Sequence, residues 1–312
     1  MTSTVERFQL AVVGAGRMGG IHVEVVQGST RVDVAAVVDP RPAVREMFAT
    51  QGLRCYAGTE ELLADGDVDG VLIAAPTGRH RELAELVVRA GIPVLCEKPC
   101  GLDSAEASEC VAAADRARVP FQIAYWRRYV PELQELRHRI RSGELGELLA
   151  IHAEQWDESP PRSEFRKNSG GIFVDMGVHE FDEIRWLTGS DLTTVKAVVS
   201  GPPVVDPGSG DVDCGHVLSA LRGGGTALVS LGRWHPDGDS CRVAVHGTKT
   251  TVSSWFLQPL TGDEVFREAL TRQVEDFALL VSSSQGAGAT ARDAVAALVA
   301  AEQATESAGL SG

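Results

Sequence analysis

No stretch of this 312-residue chain is apolar over the length a membrane-spanning helix requires, so no membrane partner is expected. The opening residues, Met1-Thr2-Ser3-Thr4-Val5-Glu6-Arg7, lack the basic-then-apolar plan of a secretory signal. Cysteine is sparse: Cys55, Cys96, Cys100, Cys110, Cys214 and Cys241 never fall in C-x-x-C spacing. That scatter reads as reduced thiols of a cytoplasmic protein, not a disulfide framework or a zinc site, and no metal is expected. Basic residues are also in deficit, with 29 Lys and Arg against 43 Asp and Glu and a formal net charge of -14. Nucleic acid is therefore not an expected partner, because phosphate backbones are bound by clustered cations. Repeats and low-complexity segments are absent as well.

What is present is an ordinary soluble composition, 44% hydrophobic and 23% charged, in a chain long enough for two domains. Up to about residue 124, short continuous apolar runs alternate with helical stretches. The runs are 8–13, 33–38, 70–75, 92–96 and 121–124, and the helices are 18–27, 42–50, 60–64, 81–90 and 104–116. Runs of this kind, buried on both faces and separated by helices, predict a doubly wound parallel sheet, an α/β Rossmann domain over 1–124. After Tyr125 the pattern changes. A helix at 131–142 leads to strand-like segments at 147–156, 193–200, 213–221, 225–233, 240–246 and 250–256, several joined by tight glycine-containing turns. A helix at 173–187 interrupts them, and helices at 263–282 and 291–307, joined by a flexible link at 283–288, close the chain. Residues 125–312 thus predict an α+β domain with an antiparallel or mixed sheet.

The segment Gly14-Ala15-Gly16-Arg17-Met18-Gly19 fits G-x-G-x-x-G directly after the first strand and before a helix. Gly14 permits the tight turn, and Gly16 lets the backbone N–H groups of Arg17 and Met18 approach a pyrophosphate. Gly19 allows close helix–strand packing. Asp39 ends the second strand, twenty residues beyond Gly19, where a carboxylate meets ribose hydroxyls and repels a 2′-phosphate. NAD is the expected cofactor, with NADP the lesser alternative because Arg41 is a guanidinium close by. Arg41 is read here as a solvated loop charge. Thr77 and His80 follow the third strand and line the expected cofactor crevice, or else cap and begin the next helix.

Two further stretches carry chemistry. Glu97-Lys98-Pro99 closes the run 92–96, placing Lys98 at the C-terminal end of a parallel strand, where doubly wound sheets bind ligands. The proline ends the strand, and a cis turn there would fix the lysine's direction. In the helix at 173–187, Asp175, His179 and Asp182 (i, i+4, i+7) share one polar face. A histidine near a carboxylate is a candidate general base, because an imidazole titrates near neutrality and the carboxylate stabilises its charged form. The same spacing also suits a surface ion pair.

In this order and spacing, Gly14 to Gly19, Glu97-Lys98-Pro99 and Gly170-Gly171…Asp175-x-Gly177-x-His179-x-x-Asp182 resemble the glucose–fructose oxidoreductase / inositol dehydrogenase / rhizopine catabolism family over essentially the whole chain. Trp126-Arg127-Arg128-Tyr129, after the last Rossmann strand, extends the likeness. The resemblance implies a second domain built on an open, mostly antiparallel sheet, a substrate held between domains beneath the nicotinamide, and homo-oligomers, dimeric or tetrameric, formed through the outer face of that sheet. It also implies a catalytic set of Lys98, Asp175 and His179. His179 would take the hydroxyl proton, and Lys98 would contact the reacting hydroxyl and the cofactor ribose beside Glu97. Arg127 lies where family members contact substrate. Trp156, Asp157 and His235 end strands of the second sheet and suit a pocket for a polyol, although core packing is the readier reading of Trp156. The expected activity is oxidation of a secondary alcohol of a cyclitol or sugar, myo-inositol first. The alternatives are a ketosugar or aminocyclitol reductase and a glycosidase that oxidises its sugar transiently. Pro76-Thr77-Gly78 departs from the more usual Thr-Pro-Asn of the family.

Overall fold

The computed structural model describes residues 7–310, so the N-terminal residues read above for a targeting signal lie, except for Arg7, outside the described residues. The chain divides into two compact units. The first opens with β1 (Phe8–Val13), α1 (Arg17–Val26), β2 (Val32–Val38), α2 (Pro42–Ala49), β3 (Arg54–Tyr56), α3 (Thr59–Asp65) and β4 (Gly70–Ile73). It continues through α4 (His80–Arg89), β5 (Val94–Cys96), α5 (Ser104–Ala117) and β6 (Phe121–Ile123). These strands form a parallel sheet ordered β6-β5-β4-β1-β2-β3. The order reverses between β4 and β1, and the glycine loop leaves β1 at that switch point, where such sheets bind their ligands. Val12, Val37, Leu72 and Leu95 are fully buried, as the unbroken apolar runs require. The three-residue strand β3 escapes the sequence pattern because Arg-Cys-Tyr has neither an apolar run nor an alternation.

The second unit contains α6 (Pro131–Arg141), β7 (Leu148–Trp156), α7 (Ser163–Asn168) and a π-helical turn at Phe173–Gly177 that runs directly into α8 (Val178–Thr188). Then follow β8 (Leu192–Val199), β9 (Cys214–Leu221), β10 (Thr226–Gly232), β11 (Ser240–Gly247) and β12 (Thr251–Leu257). The sheet order is β12-β11-β7-β10-β9-β8, antiparallel throughout except for the parallel pair β7/β10. That exception positions chemistry. Parallel neighbours end on the same side, so Trp156-Asp157 after β7 and Arg233-Trp234-His235 after β10 are delivered side by side.

The C-terminal helix α9 (Gly262–Ser283) corrects the expected boundary, which assigned everything beyond residue 124 to the second domain. Leu270–Arg292 belongs to the first unit. Val274, Phe277 and Ala278 enter its core, with Phe277 edge-on to Phe8 at 5.8 Å. A side chain at Gly70 would meet the Phe277 ring at 2.8 Å, so β4 carries glycine where the helix crosses it. The link at 283–288, expected to be flexible, is tied down: the N–H groups of Ala287 and Gly288 donate to the Asp276 carboxylate at 2.9 and 3.0 Å. It leads into β13 (Ala289–Thr290), which adds antiparallel to β6, and then α10 (Ala291–Ser307). Among the described residues no helix is long and apolar enough to cross a membrane.

Candidate active site

The glycine loop is shaped by close contact. Gly14 has φ +88°, and a Cβ there would lie 2.5 Å from the Ala75 nitrogen; one at Gly19 would lie 1.9 Å from the Gly14 carbonyl oxygen. Gly16 is the opposite case: a Cβ there would meet nothing within 4 Å. The loop is thus packed tight on the sheet side and open at the glycine and the first N–H groups of α1, where a pyrophosphate would bind. Asp39 is buried, and its Oδ2 accepts the Ala15 N–H at 3.0 Å. Arg41 is exposed, as a loop charge would be, but it is also paired. Its Nε and Nη2 grip both Asp39 oxygens at 2.8 and 2.7 Å, and its own N–H donates to Oδ1 at 2.9 Å. Burial pushes the Asp39 carboxyl up, but the Arg41 and Ala15 hydrogen bonds outweigh it and hold the group below its ordinary pKa.

The Glu97-Lys98-Pro99 turn is anchored from below. Buried Glu97 accepts a hydrogen bond from His22 Nε2 at 2.7 Å and one from the Lys98 N–H at 3.2 Å. Burial raises the Glu97 pKa, yet the His22 bond and the Lys98 charge bring it below the ordinary value. The Lys98–Pro99 peptide is cis. His80 is buried, with Nδ1 2.7 Å from the Pro99 carbonyl oxygen and Nε2 2.7 Å from that of Ala75. It braces the lysine turn against the end of β4, while half-buried Thr77 begins a short 3-10 turn above it. Burial pushes the His80 pKa down against the pull of the two carbonyls.

In the second unit the π turn shapes the helix. A π turn accommodates an extra residue, so regular i, i+4, i+7 spacing does not carry through it, and the expected polar face does not form. Asp182 turns inward to a two-pronged pair with Arg128 at 2.9 Å, and α8 buries His179, Glu180, Asp182 and Glu183 together. This is an interior helix, not a surface ion pair. His179 is 7% exposed, and its ring stands edge-on to Tyr125 and Trp126 at 6.0 and 6.5 Å. Asp175 is half-buried, and its Oδ2 accepts from Arg233 Nη1 at 2.8 Å.

Arg233 escaped the sequence reading. It is fully buried, and besides Asp175 it meets Asp211 at 3.1 Å and Asp157 at 3.8 Å. Arg166 continues the network to Asp211 and Asp213. Asp157 also accepts from Gln155 Nε2 at 3.0 Å. Burial, reinforced by the Asp175 charge, pushes the Asp157 carboxyl up to about 6. His235 donates its N–H to the Asp157 carbonyl oxygen at 2.8 Å, and its Nδ1 pairs with the Gly238 carbonyl oxygen at 2.7 Å. Trp156 lies against the Gly232 backbone, where any Cβ would overlap its ring at 1.9 Å, so its indole packs on the neighbouring strand.

Arg127 corrects another expectation. It is buried, with Nη1 2.6 Å from Glu180 and 2.9 Å from Glu183 and Nη2 donating to Gln155 at 2.6 Å. Its guanidinium also stacks over Trp126 and Phe256. These partners commit it to the interior of its unit, not to a substrate. Burial pushes Glu183 up to about 7 against the Arg127 charge. Among the described residues no group of three or more His, Cys, Asp or Glu side chains is arranged to hold a metal ion.

The model of an oxidoreductase family with an NAD-binding Rossmann fold matches residues 8–125, and that of the GFO/IDH/MocA C-terminal domain matches residues 133–253. The chain belongs to the GFO/IDH/MocA oxidoreductase family. Its first unit is an NAD-binding Rossmann domain, and the open loop at Gly16 with Asp39 beyond it fits that cofactor. The chain is 46% identical over 300 residues to the rhizopine catabolism protein MocA of Rhizobium meliloti, covering 96% of this chain and 95% of that one. It is 30% identical over 320 residues to an inositol 2-dehydrogenase of Rhizobium meliloti (strain 1021), covering 96% of both. Among solved structures, GenD2 from gentamicin A biosynthesis, in complex with NAD, superposes with TM-score 0.90 at 28% identity, covering 99% of this chain and 96% of that one. The myo-inositol 2-dehydrogenase of Lactobacillus plantarum superposes with TM-score 0.88 at 25% identity, covering 97% and 98%.

Proposed function

We propose that this oxidoreductase removes hydrogen from a secondary alcohol of a cyclitol, with myo-inositol the first candidate. The observation that carries this reading is a buried imidazole, His179, on the same helical segment as Asp175, whose carboxylate is held by a fully buried arginine. Bound NAD supplies the hydride acceptor. His179 takes the hydroxyl proton, and the aromatic rings of Tyr125 and Trp126 against it limit water on that side. Asp175, oriented by Arg233, directs the base or a neighbouring hydroxyl. The Lys98 ammonium stabilises the alkoxide charge that develops as the proton leaves. Asp157 and His235 supply hydrogen-bonding groups for further hydroxyls, as befits a ring carrying one on every carbon. The inositol dehydrogenases among the relatives support this substrate class.

A reductase acting on an aminocyclitol is the second reading. The observation in its favour is that Asp157 and Asp175 share one guanidinium nitrogen of Arg233, so carboxylate charge is in excess there and suits an ammonium group. Homo-oligomers form, in this proposal, through the outward face of the second sheet, which exposes Leu218, Leu228 and Trp255; cross-linking and light scattering test that arm.

The decisive experiment measures NADH production across inositols, hexoses and aminocyclitols, with wild type beside His179→Ala. Turnover on an inositol should fall by roughly two to four orders of magnitude in the variant while NAD still binds. Near-normal turnover in His179→Ala would remove it as the base, and activity confined to hexoses would remove the cyclitol.

A further inference from the structure

The acidic chain concentrates arginine in one place where no function has been assigned. In the second unit a cavity of about 260 Å³ opens between α6 and the C-terminal end of α8. Arg128, Arg137, Arg141 and Arg185 line it, with Trp186, Ser190 and two carboxylates, Asp191 and Asp293. Two of the four guanidiniums are neutralised. Arg128 is paired with Asp182 and Asp293, and Arg185 with Asp191 and Asp293.

Arg137 is different. Its Nε donates to the Trp186 carbonyl oxygen at 3.0 Å, and its guanidinium lies over the Trp186 ring at 4.8 Å. Of the five N–H donors of an arginine, this engages one. Burial and the charges of Arg141 and Arg128 together push its pKa down. Arg141 lies one turn further along α6. Cations in the last turns of α6 and α8 complement the helix dipoles, which accounts for Arg141 and Arg185. It leaves Arg137 and Arg128, set beside them, without that explanation. Ser190 adds a donor: its Oγ accepts the Gly223 N–H at 2.7 Å, so the hydroxyl hydrogen is left for an acceptor.

We propose that this cavity binds the phosphate group of a small molecule. Planar guanidinium forks match the oxygens of a phosphate, and a hydroxyl donor beside them adds a further bond. The Trp186 ring offers an apolar wall for a short carbon skeleton. At about 260 Å³ the cavity is small for a drug-sized ligand and suits a compact one. The phosphate could come from inorganic phosphate or from a phosphomonoester.

The test is calorimetric titration of the full-length protein, first saturated with NAD so that the glycine loop cannot take up phosphate. Inorganic phosphate and glycerol 3-phosphate are titrated separately at low salt and pH 7.5. Both should bind, and the tighter of the two names the source. Arg137→Ala/Arg141→Ala should weaken binding at least tenfold while the dehydrogenase rate is unchanged. Because Arg137 packs on Trp186, the exposed Arg141→Gln serves as a second variant that does not touch that contact, with a loss of about threefold or more expected. Absence of binding by the NAD-saturated wild type, or equal affinity in wild type and Arg141→Gln, would overturn the proposal.

Discussion

Asp157→Asn isolates one consequence of the charge network around Arg233. Burial, helped by the Asp175 charge, carries the Asp157 carboxyl from an ordinary pKa of 3.8 to about 6. The folded state therefore holds this proton more tightly than the unfolded chain. The sign follows: the stability contribution is complete below pH 3.8 and is lost as the pH rises through 6. At 1.36 kcal/mol for each tenfold change in proton affinity, the difference between the two limits is about 3 kcal/mol. Its side chain retains 27% exposure, and water screens part of that, so about 1–3 kcal/mol is expected. Asparagine fills the same volume, cannot ionise, and can still present an oxygen to the Gln155 amide. Asp157→Asn should thus match wild type in stability near pH 4 and exceed it by that amount at pH 8.

All five tryptophans (Trp126, Trp156, Trp186, Trp234 and Trp255) lie in the second unit, so tryptophan fluorescence during urea unfolding reports the unit that contains Asp157. Titrations repeated from pH 4 to 8 give the difference curve, in which titrating groups not coupled to Asp157 cancel. The same variant should raise KM for a polyol, trading stability against recognition. A flat difference curve would refute the reasoning, because it would mean that Asp157 ionises freely in the folded protein.

Arg233→Met removes the cation from Asp175 and Asp157, while Asp211 keeps Arg166; the two carboxylates left without it should together cost about 3–5 kcal/mol in the same unfolding assay, and a loss below about 1 kcal/mol would mean the network is slack. Arg41→Ala frees the Asp39 carboxylate for ribose hydroxyls and removes the guanidinium gripping it, so the ratio of NAD to NADP affinity should rise by roughly tenfold, with Asp39→Ala moving it the other way; an unchanged ratio in fluorescence titrations would disconnect the pair from cofactor choice. Replacing Arg127, Glu180 and Glu183 together by Met, Leu and Leu should leave stability equal or higher, because a desolvated ion triad gains little over apolar packing, and should lower turnover by displacing His179; unfolding and kinetics on the same sample separate the two effects.

The parts of this protein that were legible in its sequence are those whose cause is local. A strand buried on both faces must be an unbroken apolar run, and a pyrophosphate loop must place glycines at fixed offsets, so β1, β2, β4 and the loop at Gly14 are written in consecutive residues. The network at Arg233 is not. Its three acids come from the end of β7, the π turn and the loop before β9, at positions 157, 175 and 211, and the parallel pairing of β7 with β10 is what brings Asp157 beside Arg233. The available signal is an arginine at the end of an apolar strand, two residues before His235, a candidate pocket residue. Arg127 failed for the converse reason. Its place after the last Rossmann strand says where it lies along the chain, but not which way it points, and Glu180 and Glu183, a helical turn apart on α8, decided that.

The same acids explain why α8 holds its charges inside. A helix that presented His179 through packing alone could slide or rotate by a residue with small loss, since one apolar side chain replaces another. Arg127 on Glu180 and Glu183, and Arg128 on Asp182, allow only one register, because each alternative leaves a charge buried and unpaired at several kcal/mol. The π turn at Phe173–Gly177 meets this fixed helix from the other end, and Arg233 pins Asp175 within that turn. Two independent sets of arginines thus hold the segments carrying Asp175 and His179. An apolar replacement of the Arg127 triad should therefore keep the fold while loosening the base, which a sequence pattern of apolar and polar positions could not distinguish from the native arrangement.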